Sequence, residues 1–240
     1  MPKRKYLAIL ALCAAFATLA AITLTRDTEP QYQGKPLHYW TSLLMSAQVT
    51  TNANKLAQTA TATDAIRHMG TNVFPVLLDW LLYDDTYIRN LWWRRIPAPL
   101  RNRKFVSDVF WYNPKARRAN SASWALIALG QDASPAIPEL AERLISTTNF
   151  TVRTRSMVIL REIGTPAVAA LTAAAIDPRS HTNNSIFEIL WTLHQIGSNA
   201  SAAAPTLKAL LQNAPPLERW AYSNALSTIA PELLTNAPSQ

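Results

Sequence analysis

A single cysteine, Cys13, in 240 residues excludes an intrachain disulfide and a CxxC zinc or redox pair. Glycine is nearly as scarce, with five residues, and none lies in a G-x-S-x-G elbow, a Walker loop or a Rossmann glycine cluster. The four histidines, His38, His68, His181 and His194, form no HExxH and no pair at metal-ligand spacing beside a carboxylate. The sequence therefore offers no catalytic, cofactor-binding or metal-binding set, and the expectation is a protein that is not an enzyme. Charged residues are only 16% of the chain against 49% hydrophobic. With so little glycine and so much alanine, leucine and threonine, the composition suits helices better than turn-rich sheets, so an all-α fold is expected.

What is present begins at the N-terminus. Lys3, Arg4 and Lys5 precede twenty uncharged residues, 6–25, the order of an export signal and the length of a helix that spans a bilayer. Cleavage after Ala15-Phe16-Ala17 leaves "TLAAITLT" as an apolar new terminus, so an uncleaved anchor is preferred and secretion after cleavage is the alternative. In both cases the cations stay inside, which places residues 27–240 on the extracytoplasmic side, periplasmic or extracellular.

Four of the glycines, Gly70, Gly130, Gly164 and Gly197, are spaced by 60, 34 and 33 residues, and another 33 leads to Ala230. A fixed period in this range means stacked supersecondary units. Apolar residues keep phase with it. One residue before the marker stand Met69, Leu129, Ile163, Ile196 and Ile229; four before it stand Ile66, Leu126, Leu160, Leu193 and Leu226. The residues five before are Ala65, Ala125, Ile159, Thr192 and Ala225, and those eight before are Ala62, Ala122, Ser156, Ile189 and Tyr222. These offsets trace one face of an α-helix, so each copy opens with an amphipathic helix that ends at the glycine. The glycine is expected to close it in the left-handed αL conformation.

Pro135 and Pro138, behind the candidate cap Ser134, then start a second helix, as Pro205 does in the fourth copy. The first and third copies fit with a turn three residues shorter, which puts Leu77 and Leu81, or Leu171 and Ala175, in the slots of Leu140 and Leu144. Ankyrin and tetratricopeptide signatures are missing at corresponding positions. The copies resemble short HEAT-like repeats, including the type named after phycobilin lyases, in "ASWALIALGQDASPAIPELAERL" and "FEILWTLHQIGSNASAAAPTLKALL". The resemblance covers roughly residues 57–82 and 116–235 and implies an α-solenoid of helical pairs. It carries over no lyase residue. Ahead of the repeats, "YQGKPLHYW" looks like a lead-in of exported bacterial HEAT-repeat proteins. Leu37, Trp40, Leu43 and Leu44 in and after it make an amphipathic helix suited to capping the first repeat.

The expected order is thus a signal peptide or transmembrane anchor (1–26), a linker with a capping helix (27–56), the solenoid (57–235) and a flexible tail (236–240). An insertion at about 83–118 interrupts the period and carries nine basic residues against three acidic ones. Together with the three N-terminal cations it accounts for all of the net charge of +8, and the rest of the chain is close to neutral. The candidate interaction patch consists of Trp92, Trp93, Arg94, Arg95, Arg101, Arg103, Lys104, Trp111, Arg117 and Arg118. Indole rings settle at lipid interfaces and guanidinium groups pair with phosphate or carboxylate. Packing of the rings on the neighbouring repeat, with solvated cations around them, is the structural reading of the same residues. Asp84-Asp85 reads as a helix start. Solenoids work through extended faces, so the expected role is a non-catalytic scaffold for a protein or peptide partner, held to the membrane by the N-terminal helix. The alternative is a peripheral binder of anionic lipid or polysaccharide through the insertion. Nucleic acid is disfavoured, because export separates the chain from it.

Overall fold

The computed structural model describes residues 29–47, 53–83, 95–101, 103 and 114–235. The chain divides into two units, Met1–Pro30 and Gln31–Gln240, and all that follows concerns the second. It opens with an antiparallel pair of two-residue strands, β1 (Gln31–Tyr32) and β2 (Lys35–Pro36). Helices follow: α1 (Leu37–Ala47), α2 (Ala53–Met69), α3 (Val73–Leu81), the short α4 (Ala98–Arg101), α5 (Pro114–Leu129), α6 (Ile137–Ser146) and α7 (Phe150–Ile163). Then come α8 (Val168–Ile176), the short α9 (Pro178–Thr182), α10 (Ile186–Ile196), α11 (Ala204–Asn213), α12 (Pro216–Ile229) and the short α13 (Glu232–Thr235). Apart from the hairpin, the regular structure of the described residues is all-α.

The sequence period sets the packing. Every residue one, four, five or eight positions before a turn marker is buried, except Met69 and Ile196, which are half-buried. In the second helices Leu77, Leu81, Leu140, Leu144, Leu171, Ala175 and Leu207 are fully buried, and Leu211, in the slot of Leu144 in the fourth copy, is half-buried. Each first helix touches the next one along the chain: α2 meets α5, α5 meets α7, α7 meets α10 and α10 meets α12. Each second helix packs on the following first helix, α3 on α5, α6 on α7, α8 on α10 and α11 on α12. The apolar stripe of any one pair is thus covered largely by the next pair, and the buried residues form one continuous core. At the N-terminal end α1 buries Leu37, Trp40 and Leu44 against α2 and α5. The Trp40 indole N–H donates to the Tyr32 carbonyl at 3.4 Å, and the Tyr32 ring stacks on His68 with centroids 5.2 Å apart, so the hairpin is tied to both α1 and α2.

The turns depart from expectation in three ways. First, 3-10 turns intervene: Gly70–Asn72 and Thr165–Ala167 are short, Gly130–Ala136 and Gly197–Ala203 long. Second, Ser134 is not a cap. Ala136 occupies that place on α6 without a side-chain bond, Pro138 falls in the helix's first turn, and the Ser134 hydroxyl donates to the Gln131 carbonyl. Side-chain caps occur instead at Asn149, whose Oδ1 accepts from the Val152 N–H at 3.1 Å, and at Asp177, which accepts from the Arg179 N–H at 2.9 Å.

Third, Gly164 (φ 75, ψ −132) and Gly197 (φ 71, ψ −143) have positive φ but an extended ψ, not the αL value near +47°. The Gly164 carbonyl accepts from the Ala167 N–H at 2.9 Å, so its ψ is set by the 3-10 turn it enters as well as by the helix it closes. This region is close to glycine-only territory, and asparagine, which tolerates αL, gains nothing there. A Cβ at 164 meets only the Arg161 carbonyl oxygen at 4.0 Å, so the penalty for a side chain is one of backbone conformation rather than of crowding. Gly164→Ala and Gly164→Asn are each expected to destabilise by about 1–2 kcal/mol in urea unfolding. If asparagine restores the glycine value, the assigned conformation is wrong. Ala230 stands in the same slot of the last copy by taking negative φ (φ −157, ψ 73).

Among the described residues no helix is long and apolar enough to cross a membrane, and residues 6–25 lie outside them.

Candidate functional site

Helix α5 starts at Pro114, so Lys115, Arg117 and Arg118 belong to the first helix of the second pair and not to an insertion reaching residue 118. Proline in the first helical turn costs no intrahelical hydrogen bond, which explains where the helix begins. Trp80 lies in α3, and Tyr83 follows two residues after that helix. On each side the two residues are three apart, the spacing of neighbours on one helical face. Because α3 packs on α5, the two rows meet. The Arg118 guanidinium lies over the Trp80 ring at 5.6 Å and the Lys115 ammonium over the Tyr83 ring at 5.8 Å. The result is a ladder of two cation–ring rungs. A groove of about 390 Å³ lies along it, lined by Asp79, Trp80, Leu82, Tyr83, Lys115 and Arg118.

The aromatic side of this groove is held from beneath. Arg155 of α7 donates to the carbonyls of Leu81 (3.2 Å) and Tyr83 (2.8 Å) and to Oδ1 of Asn120 (3.0 Å). Arg143 of α6, itself buried, donates to the Leu78 carbonyl and pairs through Nε with Glu139 at 3.0 Å. The Leu78 and Leu81 carbonyls lie in the last turn of α3, where no intrahelical donor exists and where the helix dipole favours cations, and that of Tyr83 follows it. Two arginines from later pairs thereby fix the segment that carries Trp80 and Tyr83.

Of the patch foreseen from sequence, Arg117 and Arg118 are exposed on α5, and Arg95 and Arg103 are exposed on either side of α4, which Arg101 ends. Of these described members, only Arg118 lines the groove. Trp92, Trp93, Arg94, Lys104 and Trp111 lie outside the described residues, as do Asp84 and Asp85. Trp80, Tyr83 and Lys115 were not singled out, although their spacing was readable.

The histidines are structural rather than gathered. His38 and His68 are exposed. His194 is half-buried: its Nδ1 lies 3.1 Å from the Asn224 carbonyl oxygen and 2.8 Å from the Thr228 hydroxyl, because α12 covers that flank of α10. His181 Nδ1 is 3.0 Å from the buried Glu218 carboxylate. Burial, and then the nearby Glu218 charge, push the Tyr222 phenol up to about 12. Asp177 is held below the usual carboxylate range, chiefly by hydrogen bonds from the Arg179 side chain. Among the described residues no group of three histidine, cysteine or acidic side chains is placed to hold a metal ion.

A second surface feature went unread in the sequence. Leu217 and Trp220, one turn apart on α12, are 76% and 72% exposed, and Trp191 on the adjoining α10 is 39% exposed. The Arg161 guanidinium lies 6.0 Å from the Trp191 ring. Comparison with protein-family models, with curated proteins and with solved structures found no match to this chain.

Proposed function

We propose that this chain is a HEAT-like α-solenoid acting as a non-catalytic scaffold that holds a protein or peptide partner outside the cytoplasm. Residues 6–25 tether it to the membrane, or are removed on secretion. In-register burial of the helical pairs supports the architecture, and the cation cluster ahead of an uncharged twenty-residue run supports the compartment. The observation that carries the scaffold reading is the pair Leu217 and Trp220. Two large apolar side chains, three-quarters exposed and one turn apart, leave surface in water that a partner would cover. The cation–ring ladder supports a second reading, contact with anionic lipid or polysaccharide.

The test is a photo-crosslinking residue in place of Trp220 in the full-length protein, in its native membrane. A recurrent protein adduct is expected there and not with the same probe in place of Gln212, an exposed position on α11. Adducts with lipid or glycan alone, or equal labelling at both positions, refute the scaffold reading. Protease added from the cytoplasmic side is expected to leave the repeats intact; digestion from that side refutes the compartment.

A further inference from the structure

We infer that the protein partner docks on α12 with an acidic amphipathic helix, which packs there as one more first helix would. The inference rests on the scaffold reading and adds the partner's chemistry. Three joints between first helices show how such a helix is held. Asn120 of α5 accepts from Arg155 of α7 at 3.0 Å, and Arg153 of α7 pairs with Glu188 of α10 at 3.2 Å. His194 of α10 meets the Asn224 carbonyl and the Thr228 hydroxyl of α12. Counted back from each turn marker, the earlier helix uses positions three, ten and eleven, and the later one positions two, six and nine. Each set lies on one flank of a helix. In α5, α7 and α10 the residues at positions three, ten and eleven are buried or half-buried, apart from the exposed Asn120. In α12 they are Ser227, Trp220 and Arg219, and all three are exposed. Among the described residues no first helix follows α12, and the one-turn α13 leaves Trp220 72% exposed. This flank therefore continues an interface that the molecule has already built at three joints.

Charge selects the occupant. Arg219 stands where Arg153 stands in α7, eleven before the marker, and Arg153 meets an acid nine before the next marker. The Arg219 Nε donates to the Ala214 carbonyl at 3.0 Å, and among the described residues the side chain pairs with no carboxylate. Both Nη groups are left to fork onto one. Trp220 supplies the apolar area, at the position where Phe187 is half-buried against the core. A glutamate in the place of Glu188, with leucines four residues before it and three after, puts the charge on Arg219 and apolar side chains around Trp220. A second copy fits less well. Stacked head to tail it finds the receiving flank engaged, because Tyr32 stacks on His68, two before Gly70, and the Thr41 hydroxyl donates to Ser121, nine before Gly130, at 3.2 Å. Joined tail to tail about a two-fold axis, it sets Arg219 against its own like charge, with no acid at positions three, ten or eleven to offset it.

The experiment uses the full chain in neutral-lipid nanodiscs and a fluorescein-labelled helix of about fourteen residues, hydrocarbon-stapled because so short a helix is marginal alone. The probe carries Glu, with Leu four before and three after it, among Ala and Gln, and binding is followed by anisotropy. Gln in place of that Glu is expected to weaken it about fivefold. Arg219→Gln, at an exposed position where folding is not at stake, should cost the glutamate probe about fivefold and leave the glutamine probe unchanged. Arg219→Glu should make a lysine probe bind better than the glutamate one. Trp220→Ala should weaken every probe at least about tenfold, and Gln212→Ala should change nothing. No binding of the glutamate helix, equal binding of the glutamate and glutamine helices, or indifference to Arg219 and Trp220 overturns the inference. So does a dimer of the full chain that Trp220→Ala dissolves in light scattering, which assigns the face to a second copy. The crosslink at position 220 separates the two readings: a protein adduct beside a failed probe leaves the scaffold standing and removes the acidic helix, whereas adducts with lipid or glycan alone remove both.

Discussion

Replacing Leu160 by Ala is expected to lower the free energy of unfolding by about 3–4 kcal/mol, seen in urea as a fall in midpoint with little change in slope. Leu160 is 0% exposed on α7, the helix that touches α5 and α10 on its flanks and α6 from the other row. Truncation removes three carbons from a site walled by separate helices. Such a site collapses poorly around the void, and the penalty grows with the cavity that remains. Because neighbouring pairs share this core, the loss is felt by the adjoining pairs as well as by the one that carries the residue. The half-buried Ile196 occupies the position one before a turn at the edge of the same stripe, and Ile196→Ala should cost clearly less. A change below about 1 kcal/mol at Leu160 would falsify the assignment of that offset to the shared interior.

That position was legible because period and phase reinforce one another. Leu126, Leu160, Leu193 and Leu226 recur four before each marker, and a helix with so regular a stripe has one way to bury it. The same arithmetic places the residues ten and thirteen before the marker on the opposite side. In the last copy these are Trp220 and Leu217; the second copy carries Asn120 and Arg117 there and the third Thr154, whereas Phe187, ten before Gly197, is half-buried against the core. Because Phe187 and Trp220 share an offset and only Trp220 stands in water, phase alone does not mark the exposed aromatic; that depends on what the next helix covers.

The groove was less accessible, for a physical reason. Trp80 and Arg118 are brought together by α3 packing on α5 across the whole interrupting segment, and periodicity reports what lies on one helix and not which rows meet. The arginine clamps are further removed. Arg155 reaches the Tyr83 carbonyl from a residue 72 positions later, and no spacing rule links a side chain to a backbone oxygen at that distance. The glycine turns were half legible. Positive φ followed from the residue type, but ψ depends on the hydrogen bond that Ala167 makes to Gly164, a property of the next turn. The short and long links fall where the slots of Leu77, Leu140 and Leu171 required them, and what the sequence did not show is that 3-10 residues take up the difference.

Arg153 and Glu188 join α7 to α10 through a pair with Nη2–Oε1 at 3.2 Å, their side chains only 13% and 19% exposed. Arg153 also donates to the Asn183 carbonyl at 3.0 Å. Its Nε and the Glu188 Oε2 are buried and have no hydrogen-bond partner. Each charge therefore depends mainly on the other for compensation, and removing one leaves a desolvated ion. Glu188→Ala is expected to destabilise by about 2–4 kcal/mol, more than its lost contact area alone explains. Replacing both partners by apolar residues of similar volume, Arg153→Met with Glu188→Leu, avoids that penalty and is expected to lie within about 1 kcal/mol of the unmodified chain. Arg153→Met alone, Glu188→Leu alone and the double variant form a cycle whose coupling term should be large and should reverse most of the single losses. Additive losses would mean that solvent already screens the pair, and the two helices would then be held together by their apolar faces alone.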